Sequence, residues 1–406
     1  MKTLLLLGGS RYLLPVIREA KALDCRVVTC DYLPDNIAHR YSDAYANVSI
    51  VDREAVLALA KELKIDGIMS FACDPGVVTA AYVAEQLGLP NVGPLDSVEL
   101  LQDKGRFRRF LEENGFPVPR SRSCSSLEEI PTSELRWPQM VKPVDSAGSK
   151  GVSRVNGPEE LEAAFRHARE YSRSGRVILE DFIAPLGFPS DTECFSIDGE
   201  LRFVSFNNQY FDPKADNPYT PAGFTWPSTM PESALQDLRE QLRRLLRLLH
   251  MGTTVYNVES RLGSDGTAYL MEVSPRGGGN RLCEMLRYTT GVNLIRSAVR
   301  AALGEPVEDP GEPVYTGNWS YVALHSYESG VFQGLDISPE ARAALVEEDL
   351  WVHPGERVEA FSGANKTIGT LVMNWPDRAA RDAGMADLDR WLKIRVEPDP
   401  ADIGGH

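Results

Sequence analysis

The sequence predicts a protein that combines an α/β part with α+β parts, and two observations carry this prediction. The first hundred residues alternate short apolar strands with helical patterns, an order that builds a parallel sheet with helices on both faces. Further along, Asp198-Gly199 and Asp265-Gly266 each separate two strand-like runs, which is typical of antiparallel hairpins. The length of 406 residues allows two or three domains with sizeable cores.

Composition narrows the classes of function. With 43% apolar and 25% charged residues, the chain is ordinary for a globular protein, and no apolar run is long enough to span a bilayer. The net charge of −15 argues against a protein that binds nucleic acid irrespective of sequence. Six cysteines without a CxxC pair and six histidines without metal spacing predict reduced thiols and a cytoplasmic location.

Residues 1–100 have the pattern of a Rossmann-like domain. Strands are predicted at 4–7, 26–30 and 67–71, with helices at 15–23, 53–63 and 77–87. Gly8-Gly9-Ser10 followed by Asp31 resembles a dinucleotide site, but the G-x-G-x-x-G spacing is absent. A nicotinamide-dependent dehydrogenase therefore remains only an alternative.

A second domain is predicted over residues 101–310, with a lid subdomain at about 120–183. A helix over 95–115 leads into it, and the proline-rich stretch 210–230 predicts an ordered or ligand-gated loop. The other predicted elements are strands at 137–143, 177–183, 191–197, 201–207, 253–261 and 268–274, and helices at 158–171 and 235–249. Residues 311–406 are predicted to form a C-terminal α+β cap, with strands at 321–326 and 367–373 and helices at 338–347 and 377–392.

Two carboxylates, Glu259 and Glu272, are the strongest indication of a functional site. They lie on β-branched and aromatic runs that flank Asp265-Gly266. If this dipeptide forms a two-residue turn, Glu259 faces Glu272 and Asn257 faces Ser274, with all four side chains on one face. Opposed carboxylates destabilise a sheet unless they share a proton or bind a cation. We therefore predict a divalent metal site; an accidental pairing on a wet surface is the alternative.

The segment after Ser274 has the parts of an anion site. Arg276 supplies a fixed cation, and Gly277, Gly278 and Gly279 supply bare backbone amides beside the predicted metal.

A Gly-Ser turn is the second candidate site. Lys142 lies at the exit of a predicted strand, and Ser146, Gly148, Ser149 and Gly151 follow in a turn whose amides can wrap a polyphosphate. The pattern is not a P-loop, which needs Gly-Lys-Ser/Thr at the start of a helix. A plain hairpin is the alternative.

Two further positions complete the candidate set. Glu180 ends an apolar strand and can accept from an adenine amine, while Asp181, Phe182 and Ile183 offer main-chain groups. Lys104 lies on a predicted helix. An exposed strand end and a solvated lysine are the alternatives.

In chain order these residues are Lys104, Lys142 with its Gly-rich turn, Glu180 to Ile183, Glu259, and Glu272 to Arg276. This series resembles the ATP-grasp superfamily, which includes the L-amino acid ligases and biotin carboxylase. The resemblance covers about the first 310 residues. It implies an ATP-grasp architecture with an N-terminal Rossmann-like domain, a small lid subdomain and a C-terminal α+β region.

The resemblance also implies roles for the residues that bind nucleotide. Lys104 and Lys142 would contact the phosphates of ATP, and Ser146 to Gly151 would be the flexible phosphate lid. Glu180 and the backbone near Phe182 would hold adenine, and Glu193 would lie near the ribose.

Metal and substrate residues follow from the same resemblance. Glu259 and Glu272 would carry Mg²⁺ or Mn²⁺ with Ser274, where the family commonly has Asn; a serine hydroxyl is a poorer ligand for a hard cation. Arg276 would steady an acyl phosphate. Gly277, Gly278 and Asn280 would contact the acceptor.

The resulting prediction is an ADP-forming, ATP-dependent carboxylate–amine ligase in which Arg276 and Lys142 act in catalysis. A small carboxylic or amino acid would be activated as an acyl phosphate, which an amine then attacks. The predicted partners are these small molecules, and neither nucleic acid nor a membrane is predicted as a partner. Whether the protein forms a homodimer is left open. The alternatives are a carboxylase that uses bicarbonate with biotin or a purine, and a nucleotide-binding regulator without turnover.

Overall fold

The computed structural model describes residues 1–398, which form two compact units. Unit 1 comprises Met1–Arg122, Ile183–Phe206 and Met230–Val314, and unit 2 comprises Ser123–Phe182, Asn207–Thr229 and the chain from Tyr315 onward. The last eight residues of the predicted cap, 399–406, lie outside the described residues. The predicted domain boundaries stay predictions.

The first half of the chain contains ten strands and six α-helices within the described residues. The strands are β1 (Thr3–Leu7), β2 (Arg26–Cys30), β3 (Ala44–Ala46), β4 (Gly67–Ser70), β5 (Ser121–Cys124), β6 (Gln139–Pro143), β7 (Ser153–Val155), β8 (Val177–Asp181), β9 (Ser190–Ile197) and β10 (Glu200–Val204). The helices are α1 (Leu14–Ala22), α2 (Arg53–Leu63), α3 (Asp74–Leu87), α4 (Leu95–Gln102), α5 (Lys104–Glu113) and α6 (Pro158–Glu170).

The remaining described residues add ten strands and five α-helices. The strands are β11 (Asn208–Phe211), β12 (Pro221–Thr225), β13 (Thr254–Leu262), β14 (Ala268–Ser274), β15 (Trp319–Leu324), β16 (Gly330–Ile337), β17 (Leu345–Leu350), β18 (Arg357–Val358), β19 (Gly369–Asn374) and β20 (Leu392–Glu397). The helices are α7 (Glu232–Leu248), α8 (Leu282–Thr290), α9 (Leu294–Ala302), α10 (Pro339–Ala344) and α11 (Arg378–Ala386). Within residues 1–398, none of the helices has the length and apolar character that crossing a bilayer requires.

Unit 1 contains two sheets. The parallel sheet has the order β3-β2-β1-β4, and every residue of β1 is buried, as expected when helices cover both faces. The antiparallel sheet has the order β10-β9-β13-β14. Leucines of α7, including Leu242 and Leu246, pack with Tyr256, Val258 and Val273 in one core cluster. One face of the antiparallel sheet is therefore apolar, and the other is left for polar side chains. The predicted α/β and α+β fold is confirmed.

The hairpin β13–β14 forms differently from the prediction. Gly266 N–H donates to Gly263 O, so Ser264 and Asp265 are the central residues of the turn, and Gly266 follows with φ +80°. This turn pairs Ser260 with Leu270, one residue away from the predicted register. A bulge at Met271 then shifts the register back, so that Glu259 faces Glu272. The predicted two-residue turn is wrong, but the predicted carboxylate pair is confirmed.

Unit 2 contains three groups of paired strands. Strands β8, β6 and β7 are antiparallel neighbours in that order, and β11-β12-β15-β19-β17 and β18-β16-β20 form two further antiparallel sheets. The core around β6 and β8 includes Val141, Phe165 and Leu179.

Four predicted elements differ from the structure. The helix over 95–115 is two helices, because Asp103 is extended and caps the second by accepting from Arg106 N. The stretch 210–230 is not all loop, since it contains β12. Residues 345–347 and 392 belong to strands rather than to the ends of helices. In the last three cases, pairing with distant strands overrides the local pattern.

Candidate functional site

The carboxylate face of unit 1 is the polar face of β9, β13 and β14. Glu259 faces Glu272, and Asn257 faces Ser274, as predicted. Glu259 is exposed, whereas Ser274 is buried. Two like charges are thus held side by side on adjacent strands, an arrangement that favours a cation between them.

Lys104 belongs to this face. It is the first residue of α5, and its Nζ lies 3.1 Å from Glu272 Oε2. Burial acts to lower the pKa of the Lys104 ammonium, but the charge and hydrogen bond of Glu272, together with the charges of Glu259 and Asp74, raise it. The lysine is therefore a fixed positive charge beside the carboxylate pair, and the alternative of a solvated lysine is wrong.

Strand β9 extends the carboxylate face by two acidic residues. Asp191 pairs with Glu259 across the sheet, and Glu193 pairs with Asn257. Burial, reinforced by neighbouring carboxylates, raises the pKa of both side chains, that of Glu193 to about 8. Asn257 Nδ2 donates to Asp191 at 2.5 Å. Sequence reasoning missed Asp191, because only the pairing of β9 with β13 places it beside Glu259.

Glu193 supports the glycine segment. It is 1% exposed, and its carboxylate accepts from Gly278 N at 2.8 Å and from Cys283 Sγ at 3.5 Å. A ribose contact would have to share this carboxylate with Gly278. A Cβ at Gly278 would lie 2.4 Å from Glu193 Oε1, and one at Gly277 would lie 2.2 Å from Phe71, so both positions require glycine.

Arg276 is held by Asp74, the first residue of α3. Its Nε and Nη2 donate to the two Asp74 oxygens at 2.8 and 2.6 Å. Ser274 Oγ also donates to Asp74, at 2.8 Å, and accepts from Gln102 Nε2 at 2.9 Å. A hydroxyl has two lone pairs, so one of these on Ser274 is left for a further partner. Sequence reasoning missed Asp74, although its place just after a parallel strand was an available signal.

Asn280 ends the glycine segment in an unusual backbone conformation. Asn280 and Arg281 have φ values of +50° and +57°, which residues other than glycine rarely adopt. Tyr12 Oη donates to Asn280 Oδ1 at 3.4 Å. Strain of this kind concentrates at functional sites.

Unit 2 brings together the predicted nucleotide residues Lys142 and Glu180. Lys142 Nζ lies 2.6 Å from Glu180 Oε2, and their side chains are 15% and 1% exposed. The alternative of an exposed strand end for Glu180 is therefore wrong.

The residues after Glu180 also have partners within their units. Asp181 accepts from Gln139 Nε2 at 2.6 Å. Next to it, Phe182 N–H donates to Pro138 O, and the Arg154 guanidinium lies 4.3 Å from the ring centre of Phe182. In unit 1, Ile183 O accepts from Arg261 at 3.4 Å.

The predicted phosphate loop, Ser146 to Gly151, connects β6 to β7 and is called the phosphate loop below. Gly148, Ser149 and Gly151 have φ values of +69°, +57° and +71°, so the loop makes tight turns that expose backbone groups. Ser149 Oγ donates to Tyr219 O at 3.0 Å, and Asn217 Nδ2 donates to Ser149 O at 3.3 Å. Part of the predicted 210–230 loop thus holds the phosphate loop inside unit 2.

The segment Gly8-Gly9-Ser10 is filled by the protein's own side chains. A Cβ at Gly9 would lie 2.6 Å from Asn36 and 2.7 Å from His39. Asp31 accepts from Asn36 Nδ2 at 2.7 Å and from Leu33 N at 3.3 Å. Its carboxylate therefore stabilises a local turn, which weakens the dehydrogenase alternative.

The residues on the carboxylate face fit magnesium bound together with a phosphate. Among residues 1–398, no three His, Cys, Asp or Glu side chains meet in the way that a metal cage of protein ligands requires. Mg²⁺ usually takes one or two carboxylates and completes its shell with water and substrate phosphates. The pair Glu259 and Glu272, flanked by Lys104, matches that smaller requirement.

A model of the ATP-grasp domain matches residues 135–284. These residues form an ATP-grasp domain. The matched region includes Lys142, the phosphate loop, Glu180 and the facing carboxylates. The prediction of an ATP-grasp enzyme is confirmed at the level of this domain, for which ATP and Mg²⁺ are the standard cofactors.

Similar proteins extend over nearly the whole chain. A formate-dependent phosphoribosylglycinamide formyltransferase of Syntrophotalea carbinolica is 27% identical over 97% of this chain and 96% of its own. The crystal structure of an L-amino acid ligase from Bacillus licheniformis superposes with a TM-score of 0.81 at 22% identity, over 98% of this chain and 99% of that chain. An N5-carboxyaminoimidazole ribonucleotide synthetase from Thermotoga maritima superposes with a TM-score of 0.74 at 18% identity, over 98% and 100% of the two chains. The two structures show a shared fold.

Proposed function

We propose that this protein is an ADP-forming carboxylate–amine ligase that activates a small carboxylic or amino acid. The observation that carries the proposal is the register of β13 and β14, which sets Glu259 opposite Glu272 with the Lys104 ammonium 3.1 Å from Glu272. Lys104 compensates part of the negative charge of the carboxylate pair. The remaining charge can bind a divalent cation that also binds phosphate oxygens.

Each candidate residue has a role in this proposal. Glu259 and Glu272 would hold the cation, and Ser274 would add its remaining lone pair. Lys104 and Lys142 neutralise phosphate charge. When bound, magnesium-ATP would supply its γ-phosphoryl group to the substrate carboxylate and leave as ADP. The amine would then displace inorganic phosphate from the resulting acyl phosphate.

The remaining groups position the reactants. The amides of the phosphate loop wrap phosphate oxygens and exclude water, while Glu180 and the backbone near Phe182 orient adenine. Arg276 presents positive charge to the reacting anion. Gly277, Gly278 and Asn280 line the acceptor site, while the Gly278 amide keeps its hydrogen bond to Glu193. Positioning and charge neutralisation account for the catalysis, so no protein nucleophile is needed.

The test is ADP release from magnesium-ATP in the presence of paired acids and amines. The acids should include the amino acids and also formate, because a relative is named for a formate-dependent reaction. ADP formation that requires both an acid and an amine supports the proposal. Dependence on bicarbonate would favour the carboxylase alternative instead, and tight binding of magnesium-ATP without ADP release for any pair would favour the regulator.

Two variants give the assay its controls. Glu272→Gln keeps the shape of the side chain but removes one charge of the facing pair, so ADP release should be lost. Glu240→Gln makes the same chemical change at an exposed position on α7 and should leave the rate unchanged. Equal rates for the two variants would rule out a catalytic role for the facing pair.

A further inference from the structure

Asp74 links the parallel sheet of unit 1 to Arg276. It lies four residues after β4, at the start of α3, and its side chain is 14% exposed, against 9% for Arg276. The two hydrogen bonds from the guanidinium to the carboxylate, of 2.8 and 2.6 Å, form a bidentate pair. Such a two-bond pair fixes the plane of the guanidinium as well as its distance.

The rest of the Arg276 guanidinium is also held. Nη1 donates to Asn257 Oδ1 at 3.3 Å and to Gly277 O at 3.0 Å, so each of its three nitrogens has an acceptor. Burial acts to lower the pKa of Arg276, but the charge and hydrogen bonds of Asp74, together with the charges of Glu193 and Glu272, raise it. The group therefore stays a cation in one orientation.

The backbone near Asp74 holds the same segment. Ala72 N–H donates to Gly277 O at 2.9 Å, and Ala72 has a φ of +50°, which is strained for a residue with a Cβ. Ser274 donates to the same Asp74 carboxylate that holds Arg276. Residues 72 and 74 thus fix both the backbone and the side chains of the segment 274–277.

We infer that Asp74 is a positioning residue, which orients Arg276 toward the reacting anion without touching the substrate. The inference rests on the proposed ligase function, because it assigns Arg276 an anion to face. A rival interpretation has the opposite consequence: Asp74 would occupy the place of the substrate carboxylate on Arg276 and would have to leave before the substrate binds.

The two interpretations are separated by Asp74→Asn, which keeps the shape of the side chain and removes its charge. Loss of an orienting partner at a metal or catalytic site costs about 10- to 100-fold. We expect kcat to fall by that factor for the acid–amine pair that releases ADP fastest, with the KM for ATP within about twofold of wild type. Asp74→Glu restores the charge and should recover part of kcat.

Glu200→Gln is the matched control. Glu200 also accepts two bonds from one arginine, Arg247 at 3.1 and 2.8 Å, but that pair is exposed. Its removal should leave kcat unchanged. A lower KM for the acid in Asp74→Asn, or an unchanged kcat, would overturn the inference and, in the first case, support the rival.

A crystal structure of Asp74→Asn without substrates gives a second answer that does not depend on activity. We expect the Arg276 guanidinium to leave its wild-type orientation, and an unmoved Arg276 would overturn the inference. If wild-type protein releases no ADP with any pair, the proposed function fails, while the crystal structure still decides whether Asp74 positions Arg276.

Discussion

The carboxylate face of unit 1 and the phosphate loop of unit 2 hold their side chains by different means. On the carboxylate face, Glu272 is carried by a strand and paired with Lys104, and Arg276 is paired with partly buried Asp74. The phosphate loop instead lies between strands and is held at Ser149 by two bonds of 3.0 and 3.3 Å. One region relies on charge pairs between residues in or next to strands and helices, and the other relies on neutral hydrogen bonds.

This difference matches what each region is proposed to do. Groups that neutralise charge during a reaction work best when they need not move, and strands hold side chains more rigidly than loops do. A loop that wraps a ligand must open again, so its bonds in the free protein should be weak. The following predictions test this contrast, from the largest expected effect to the smallest.

The first prediction concerns the rigid carboxylate face. Glu272→Gln should lower the rate of ADP release by about a hundredfold or more, because even an outer partner of a metal site is worth about 10- to 100-fold. The rate is measured with saturating magnesium-ATP, beside the Glu240→Gln control. A rate within a few-fold of wild type would show that Glu272 is not a metal ligand.

The second prediction asks whether unit 2 also contains a rigid part. Lys142→Met removes the cation 2.6 Å from Glu180, whose side chain is 1% exposed. Breaking a buried ion pair from one side costs about 3–5 kcal/mol, so the free energy of unfolding in urea should fall by that amount.

The double variant Lys142→Met/Glu180→Leu is the control for this prediction. It removes both charges and should recover most of the lost stability, because an apolar pair needs no compensating charge. A single variant as stable as wild type would contradict the structural importance of the pair.

The third prediction concerns the anchor of the segment that holds the phosphate loop. Asp212 follows β11 and accepts from His325 Nε2 at 3.1 Å and from Tyr327 Oη at 2.6 Å. Burial acts to raise the pKa of Asp212, but these hydrogen bonds outweigh burial and lower it to about 2. The shift from an ordinary value near 4 corresponds to about 2 kcal/mol of stability.

Because the folded pKa is depressed, this contribution is complete above about pH 4 and is lost as the pH falls toward about 2. Asp212→Asn should therefore be about 2 kcal/mol less stable than wild type at pH 6, with a smaller difference at pH 3. Urea unfolding of both proteins at pH 6 and at pH 3 measures this difference in the free energy of unfolding. The same difference in stability between the variant and wild type at both pH values would mean that the charge of Asp212 does not contribute to stability.

The smallest effect is expected at the phosphate loop itself. Asn217→Ala removes one bond to Ser149 and should change the free energy of unfolding by no more than about 1 kcal/mol. Trypsin should nevertheless cleave after the exposed Lys150 several times faster, because the loop opens more often. Asn47→Ala, at an exposed position of unit 1, is the control. Unchanged cleavage would indicate that Asn217 does not restrain the loop.

Local patterns predicted much of the fold. The bounds of β2, α2 and β14 were predicted to the residue, because apolar periodicity and turn residues mark them clearly. Residues 345–347 were assigned to a helix and lie in β17, which pairs with the distant β19. Local periodicity carries no information about a distant partner strand, so the pattern of residues 345–347 favoured a helix over a strand.

The sequence by itself determined which side chains can carry the chemistry. Glu259, Glu272 and Lys142 lie where strand patterns and turns predict them. Their pairing depended on more than the local pattern, since a one-residue error in the turn was offset by the bulge at Met271.

Only the tertiary structure decided which residues surround these groups. Asp191 joins the carboxylate face through the pairing of β9 with β13, and Asp74 reaches Arg276 across 202 residues of sequence. Local periodicity is set by neighbours a few residues apart, whereas buried charges are stabilised by whichever opposite charge the completed fold brings close.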